Sequence, residues 1–267
     1  MKEFINKIKE NAKVLNIIIL IFLFLYLIII SFFLYSLSSE VKIIKSDIKE
    51  NKLQTEVIKN KLLKIEAEKK GKIDFINNLD LKIDDSITKF INSKVSFNDK
   101  SYIPSDLVNI SSKYVYDSKW WRQVVRKIAN SALQKLAENF YNKFNKKLTV
   151  VSAYRSYLYQ KWIKDRWCPD NLCSKPWYSE HQSGLAVDLF EATTKTQFMS
   201  NPKLVKYFEW LNENAYKYGF HNTYQKWLKI DWYEIEPWHW RYMWVELATY
   251  LKENNITIAE FYFNKNK

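Results

Sequence analysis

The sequence predicts an α+β fold: a small antiparallel sheet with flanking helices, preceded by a transmembrane helix and a helical stalk. Three observations lead there. Residues 14–35 form a nearly unbroken apolar run, residues 41–70 are charged with apolar residues at helical spacing, and from residue 117 onward short apolar runs alternate with helix-period stretches. In 267 residues this leaves room for one ordinary domain beside the anchor and stalk. Hydrophobic residues make up 47% of the chain, enough for a packed core, which excludes wholesale disorder.

After a short N-terminal segment, 1–13, the anchor spans 14–36, and about 20 apolar residues suffice to cross a bilayer as a helix. The run exceeds an ordinary signal-peptide core, and Tyr35-Ser36-Leu37-Ser38-Ser39 is a poor cleavage site. The segment therefore reads as an uncleaved, single-pass signal anchor in the cell membrane. Lysines on both flanks (Lys7, Lys9, Lys13; Lys42, Lys45, Lys49) leave its orientation undecided. In the stalk, 37–70, Val41, Ile44, Ile48, Asn51, Thr55, Ile58, Leu62 and Ile65 step by alternating threes and fours. That is a coiled-coil seam, compatible equally with a homodimer and with a solvated single helix. Residues 71–117 read as a linker or small subdomain.

Residues 118–267 read as the main domain. Asp117–Lys146 has helical periodicity, Leu148–Tyr154 is strand-like, Ser156–Arg166 is helical and Gly184–Phe190 is a second strand. Pro202–Tyr218 is a helix with proline in its first turn, Trp238–Met243 a strand, and Val245–Lys252 a closing helix.

The formal charge of +13 bears on partners rather than fold. Its lysines are scattered among Asn and Ile, and neither a Cys/His finger nor an aromatic RNA-binding signature is present, so no nucleic-acid partner is expected. The only two cysteines, Cys168 and Cys173, have four residues between them, which allows a disulfide that an exported domain would favour. A two-Cys metal site lacks a nearby His.

The chemistry concentrates around two of the three histidines. His181 stands in Ser179-Glu180-His181-Gln182-Ser183-Gly184-Leu185-Ala186-Val187-Asp188, and His239 in Glu236-Pro237-Trp238-His239. Asp188 ends an alternating apolar strand, where a buried carboxylate is costly unless paired or metal-bound. Two imidazoles and a carboxylate are a usual catalytic Zn2+ set with one position open for water, and Glu236 is then placed to act as general base; on spacing alone, a purely structural role for His181 and Asp188 is an equal alternative. The zincin string His-Glu-x-x-His is absent, which excludes that peptidase class.

Ser-x-His-x-x-Gly-x-Ala-x-Asp followed by Glu-Pro-Trp-His resembles the zinc D,D-carboxypeptidases of the vancomycin-resistance type, whose relatives include L,D-carboxypeptidases, D,D-dipeptidases and hedgehog-like domains. The resemblance covers about residues 118–251. It implies His181, Asp188 and His239 as zinc ligands, Glu236 as catalytic base, and a peptidoglycan stem peptide ending in D-alanine as substrate. Tyr154-Arg155-Ser156-Tyr157-Leu158-Tyr159-Gln160 matches a further family segment, which implies that Arg155 holds the substrate carboxylate and polarises the scissile carbonyl, a task suited to its planar fork. Gln160 and Ser179 are expected as substrate-side donors and Glu180 as the residue that orients a ligand histidine; structural hydrogen bonding is an equal alternative for these three. His221 occupies no family ligand position and is expected at the cleft rim or in a turn. D,D-, L,D- and endopeptidase cleavage share these ligands, and a non-catalytic wall-binding module is the competing class.

The chain holds 11 Trp and only 3 Gly, where Gly alone is usually about 7% of residues. Against the family pattern, Trp177, Trp232 and Trp244 stand where glycine is usual, and Trp227 stands where a turn glycine would fit. Trp121, Trp162 and Trp167 are undecided, while Trp238 and Trp240 match the family. The expectation is that these four are glycine, encoded by a UGA codon read as glycine; the alternative is an authentic Trp-rich variant.

Overall fold

No proline interrupts residues 2–77, and α1 runs unbroken over Lys2–Asn77. The computed structural model describes residues 1–119, 122–166, 168–192, 194–226 and 228–265. These fall into two units, Met1–Gly71 and Lys72–Lys267. The first is α1 alone; it is long and apolar enough to cross a membrane, with mean hydropathy 3.3 over its most apolar window and none of that window buried.

The second unit carries the sheet. Its strands are β1 (Leu107–Asn109), β2 (Val115–Asp117), β3 (Val124–Arg126), β4 (Leu148–Ser152), β5 (Ala186–Leu189), β6 (Phe220–Asn222) and β7 (His239–Tyr242). Strands β1 and β3 pair by themselves, and the main sheet has the order β2-β4-β5-β7-β6. The expectation of a wholly antiparallel sheet needs correcting, because β2 and β4 are parallel. Between them lies α2 (Lys127–Phe144), and such a crossover returns the chain in the same direction. The other pairings in the main sheet are antiparallel.

Each helix reads from its sequence. On α2, Ala129, Leu133, Leu136, Ala137 and Phe140 recur on one buried face, and the helix ends at Asn145 in the left-handed region. Ser156 caps α3 (Tyr157–Lys164), and Asn201 caps α5 (Pro202–Asn214) with Pro202 in the first turn. Helix α4 (Lys195–Met199) precedes α5, and α6 (Val245–Glu253) and α7 (Ile258–Lys265) close the chain. One core packs α2 and α5 on the sheet, including Phe140, Leu189, Leu211 and Phe220. A second joins Ile76, Leu81 and Phe90 to Leu247, Leu251 and Phe261. The segment between α1 and β1 is thus built into the second unit, although it holds little regular structure.

Backbone geometry bears on the tryptophans. Trp177, Trp232 and Trp244 have φ of 71°, 62° and 71°. The remaining non-glycine residues at positive φ among those described are Asn145, Phe190 and Asn255. Trp162 lies within α3. Trp121, Trp167 and Trp227 fall outside the described residues.

Candidate active site

The site forms where β5 and β7 run side by side, their register setting Asp188 opposite His239. His181 enters from the adjoining 3-10 turn, Glu180–Ser183, which closes on Gly184 at φ 68°. A Cβ at Gly184 would lie 2.8 Å from Leu107 Cδ2, so both backbone and packing demand glycine there. One potential ligand atom from each of His181, Asp188 and His239 lies within 4.8 Å of the others, and all three residues are buried.

Hydrogen bonds assign the ring faces. His181 Nδ1 donates to the Ala153 carbonyl at 2.6 Å, leaving Nε2, 3.2 Å from Asp188 Oδ2, as the ring nitrogen that could ligate a metal. His239 presents Nε2 to Glu180 Oε2 at 2.9 Å and Nδ1 to Asp188 Oδ1 at 3.0 Å. Asn222 Nδ2 donates to the His239 and Glu236 carbonyls, and Tyr224 stacks on the His239 ring with centroids 4.7 Å apart. This donor set fits a zinc ion: two imidazole nitrogens with fixed tautomers and one carboxylate, converging on one side of a cleft.

The electrostatics are divided sharply. Burial pushes the His181 pKa down, Arg155 adds to this, and together they outweigh Asp188, giving about 4. Burial acts the same way on His239, but its bonds to Asp188 and Glu180 dominate and hold it up at about 10. Against burial, Arg241 and His239 draw Glu180 down to about 2, and His181 and Arg155 keep Asp188 well below the usual carboxylate range. Glu236 goes the other way: burial, with Asp188 nearby, raises it to about 7 despite the pull of His239. Its Oε2 lies 4.0 Å from His239 Nδ1.

The cleft measures about 260 Å³, and Arg155, Ser179, Glu180, His181, Asp188, Glu236 and His239 all line it. Arg155 reaches in from the loop after β4, its Nε on Ser152 Oγ at 2.9 Å and an Nη on Asp188 Oδ2 at 2.6 Å. Gln160 is fully buried, does not line the cleft, and donates instead to the Ser174 carbonyl. Cys168 and Cys173 form a disulfide, and with Ser174 they build a cleft wall. Asn171 fastens this loop to Glu234 through its side chain and its carbonyl. His221 does not lie at the cleft rim or in a turn: it is buried on β6 and bonded to Gln225.

Sequence reasoning missed Tyr224, Tyr233 and Arg241. The aromatic pair carried no motif, but Arg241 stands two residues after His239 on the same strand, a spacing that puts both on one face.

Comparison with known proteins agrees with this geometry. Residues 122–245 match the VanY family, D-alanyl-D-alanine carboxypeptidase. The chain is 34% identical over 175 residues to the carboxypeptidase YodJ of Bacillus subtilis (strain 168), covering 62% of this chain and 63% of YodJ. It is 29% identical over 189 residues to a D-alanyl-D-alanine carboxypeptidase of Enterococcus faecium, covering 64% and 55%. The chain therefore spans about three fifths of the length of these curated relatives. Among solved structures, the LD-carboxypeptidase LdcB aligns with a TM-score of 0.58 and 32% identity over 68% of this chain and 87% of LdcB. VanYB, solved in complex with D-alanine-D-alanine, aligns at 0.50 and 23% over 67% and 97%, a likeness of fold. With LdcB matched over most of its length and the VanY family matched over residues 122–245, which include His181, Asp188 and His239, this chain belongs to the VanY-type D-alanyl-D-alanine carboxypeptidase family.

Proposed function

We propose that this chain is a zinc-dependent D-alanyl-D-alanine carboxypeptidase, anchored in the cell membrane by α1, that trims peptidoglycan stem peptides outside the cytoplasm. The observation that carries this reading is the convergence, in one cleft, of a metal-binding triad with a carboxyl group held near pKa 7 and a guanidinium. A zinc ion held by His181, Asp188 and His239 would polarise the carbonyl and acidify a nearby water. Glu236, with a pKa of about 7, would take a proton from the attacking water as its oxygen bonds the carbonyl carbon, and give that proton to the amine nitrogen as the C–N bond breaks. Arg155, which lines the cleft and carries a planar guanidinium, receives the terminal carboxylate, and this restricts cleavage to the chain end. Ser179 offers a hydroxyl at the cleft surface, and Gln160 acts through the Ser174 carbonyl on the wall. The Cys168–Cys173 disulfide favours an oxidising compartment, and the apolar seam of α1 offers a surface for homodimer pairing.

A binding module would have no use for a base near pKa 7 beside the metal triad. L,D-carboxypeptidase activity is the second reading, favoured by the 32% identity to LdcB against 23% to VanYB. Full-length protein in detergent, given stem pentapeptide ending in D-Ala-D-Ala and tetrapeptide ending in a single D-Ala, separates the two. Chelator-sensitive D-alanine release from the pentapeptide, lost in Glu236→Ala, is expected. Release from the tetrapeptide alone assigns L,D specificity, and release from neither refutes the carboxypeptidase reading.

A further inference from the structure

We propose that the buried Glu180–Arg241 pair, pinned by main-chain carbonyls of the segment between α1 and β1, is a positioning device for His239. This rests on the metal-site reading above and extends the site beyond the residues that match the family. Glu180 shares its carboxylate between two partners: Oε2 takes the His239 Nε2 proton at 2.9 Å, and Oε1 accepts from Arg241 Nη1 at 2.7 Å. Their side chains are 0% and 1% exposed. Arg241 Nη2 then donates to the carbonyls of Ile87, at 3.3 Å, and Lys89, while Nε has no partner among the described residues. Those carbonyls are fixed in turn. Thr88 Oγ1 donates to the Asp80 carbonyl at 2.8 Å, Phe90 N to the Leu81 carbonyl at 2.9 Å, and buried Lys89 pairs with Asp84 at 3.0 Å. Glu180 and Arg241 lie within the residues that match the family, 122–245, whereas the carbonyls that pin Arg241, at 87 and 89, precede them.

The chemistry explains why the pair is built this way. A carboxylate on Nε2 fixes the imidazole so that Nδ1 faces Asp188 and raises its basicity as a ligand. A bare third carboxylate beside Asp188 and Glu236 would compete for protons and metal. Arg241 neutralises it, so that Glu180 remains a stationary acceptor. Arg241 is thus a positioning residue acting through Glu180 and His239.

The test measures zinc affinity of the full-length protein by chelator competition, together with the Tm of metal-free protein. Glu180→Leu/Arg241→Met removes both buried charges together, avoiding a lone buried charge, but leaves His239 Nε2 and the Ile87 and Lys89 carbonyls without these partners, so the metal-free Tm is expected to fall modestly. Zinc binding is expected to weaken by about 10–100-fold. Unchanged affinity in that variant, with the original protein binding zinc, overturns the positioning role alone. An original protein that binds no zinc overturns the metal reading and this inference together. Should the double variant fail to fold, Glu180→Gln keeps the shape: weaker zinc binding supports the proposal and unchanged binding refutes it.

A second inference stands on the backbone alone. The left-handed geometry of Trp177, Trp232 and Trp244 points to glycine at these positions in the protein as the cell makes it. Trp244 combines φ 71° with ψ 150°, a region open essentially to glycine only, at the N-terminus of α6 where no side chain caps the helix. Bulky residues rarely adopt positive φ, yet three tryptophans do so here in a chain with only 3 Gly. UGA is the codon that different genetic codes read as tryptophan or as glycine, so one reassigned codon accounts for all three. Peptide mass spectrometry of protein from its natural source is expected to find glycine at 177, 232 and 244, and tryptophan at these sites overturns the inference. Independently, Trp244→Gly should raise Tm, and a fall in Tm refutes it at that position.

Discussion

Two histidines in this fold are buried to the same degree, and both have a pKa pushed down to about 4, yet they sit in different chemistry. His181 faces Asp188 at 3.2 Å, with Arg155 and His239 nearby. His221, on the edge strand β6, meets a Gln225 amide in a cavity of about 80 Å³ that is lined also by Lys226 and Lys252. Around the first, every carboxylate has a cationic or imidazole partner. Around the second, no carboxylate lies in the cavity lining among the described residues, and the ring meets only neutral and cationic neighbours there. Burial alone makes a neutral imidazole. A site requires carboxylates that burial would expel unless something held their charge, and Asp188, Glu180 and Glu236 are those groups.

The sharpest way to break this contrast is to remove Glu236. Glu236→Ala should lower kcat/KM for D-alanine release by about 100- to 10,000-fold, the usual contribution of a general base, with zinc still bound as judged by metal analysis. A smaller loss would mean that the carboxyl near pKa 7 is incidental. Metal removal comes next. Chelation should abolish turnover and lower Tm, since a metal at 100 times its Kd stabilises the folded state by about 2.7 kcal/mol. In Asp188→Asn, chelator should no longer shift Tm, whereas in His221→Gln the shift should persist in full.

Much of the site was legible because chemistry and spacing coincide there. His181 and Asp188, seven residues apart, are linked by a tight turn and a strand, while Glu236 and His239 sit on the approach to the neighbouring strand. Strands β4, β5 and β7 were legible as apolar runs and α5 and α6 from their proline and periodicity. The clamp on Arg241 was not, because main-chain carbonyls at residues 87 and 89 leave no side-chain signature and lie over 150 positions away. Strands β1, β2 and β6 are three residues each, too short for alternation to register. The parallel β2–β4 pair likewise depends on a crossover that no local pattern encodes.

A subtler comparison sets Glu236 against its neighbours through pH. Its folded pKa, about 7, lies above its ordinary value of 4.5, so the folded state holds the proton longer. Stability of the metal-free protein therefore falls as pH rises from about 4.5 through 7, and the cost is constant above that. The upper bound is about 3 kcal/mol, at 1.36 kcal/mol per pKa unit, reduced by water reaching a side chain that is 13% exposed. Glu236→Gln should thus raise the Tm of metal-free protein at pH 8 and leave it nearly unchanged at pH 4. Equal effects at both pH values would show that the fold does not raise the pKa of this carboxyl. His239 has the same sign of dependence in a higher window: its raised pKa of about 10 gives stability that is complete below 6.5 and lost as pH rises through 10.

The smallest expected effect is on the other buried imidazole. His221→Gln removes a ring that bonds only Gln225 and lines no part of the cleft. It should cost about 1–3 kcal/mol of stability through lost packing and an unmatched polar group. Its kcat/KM should stay within about twofold of the original, because His221 lines no part of the cleft. Yet β6 pairs with β7 and places His221 opposite Arg241, so the edge strand touches the clamp on His239. If His221→Gln weakens zinc binding as well as lowering Tm, the two histidines are not independent, and the metal site extends across the sheet to its edge.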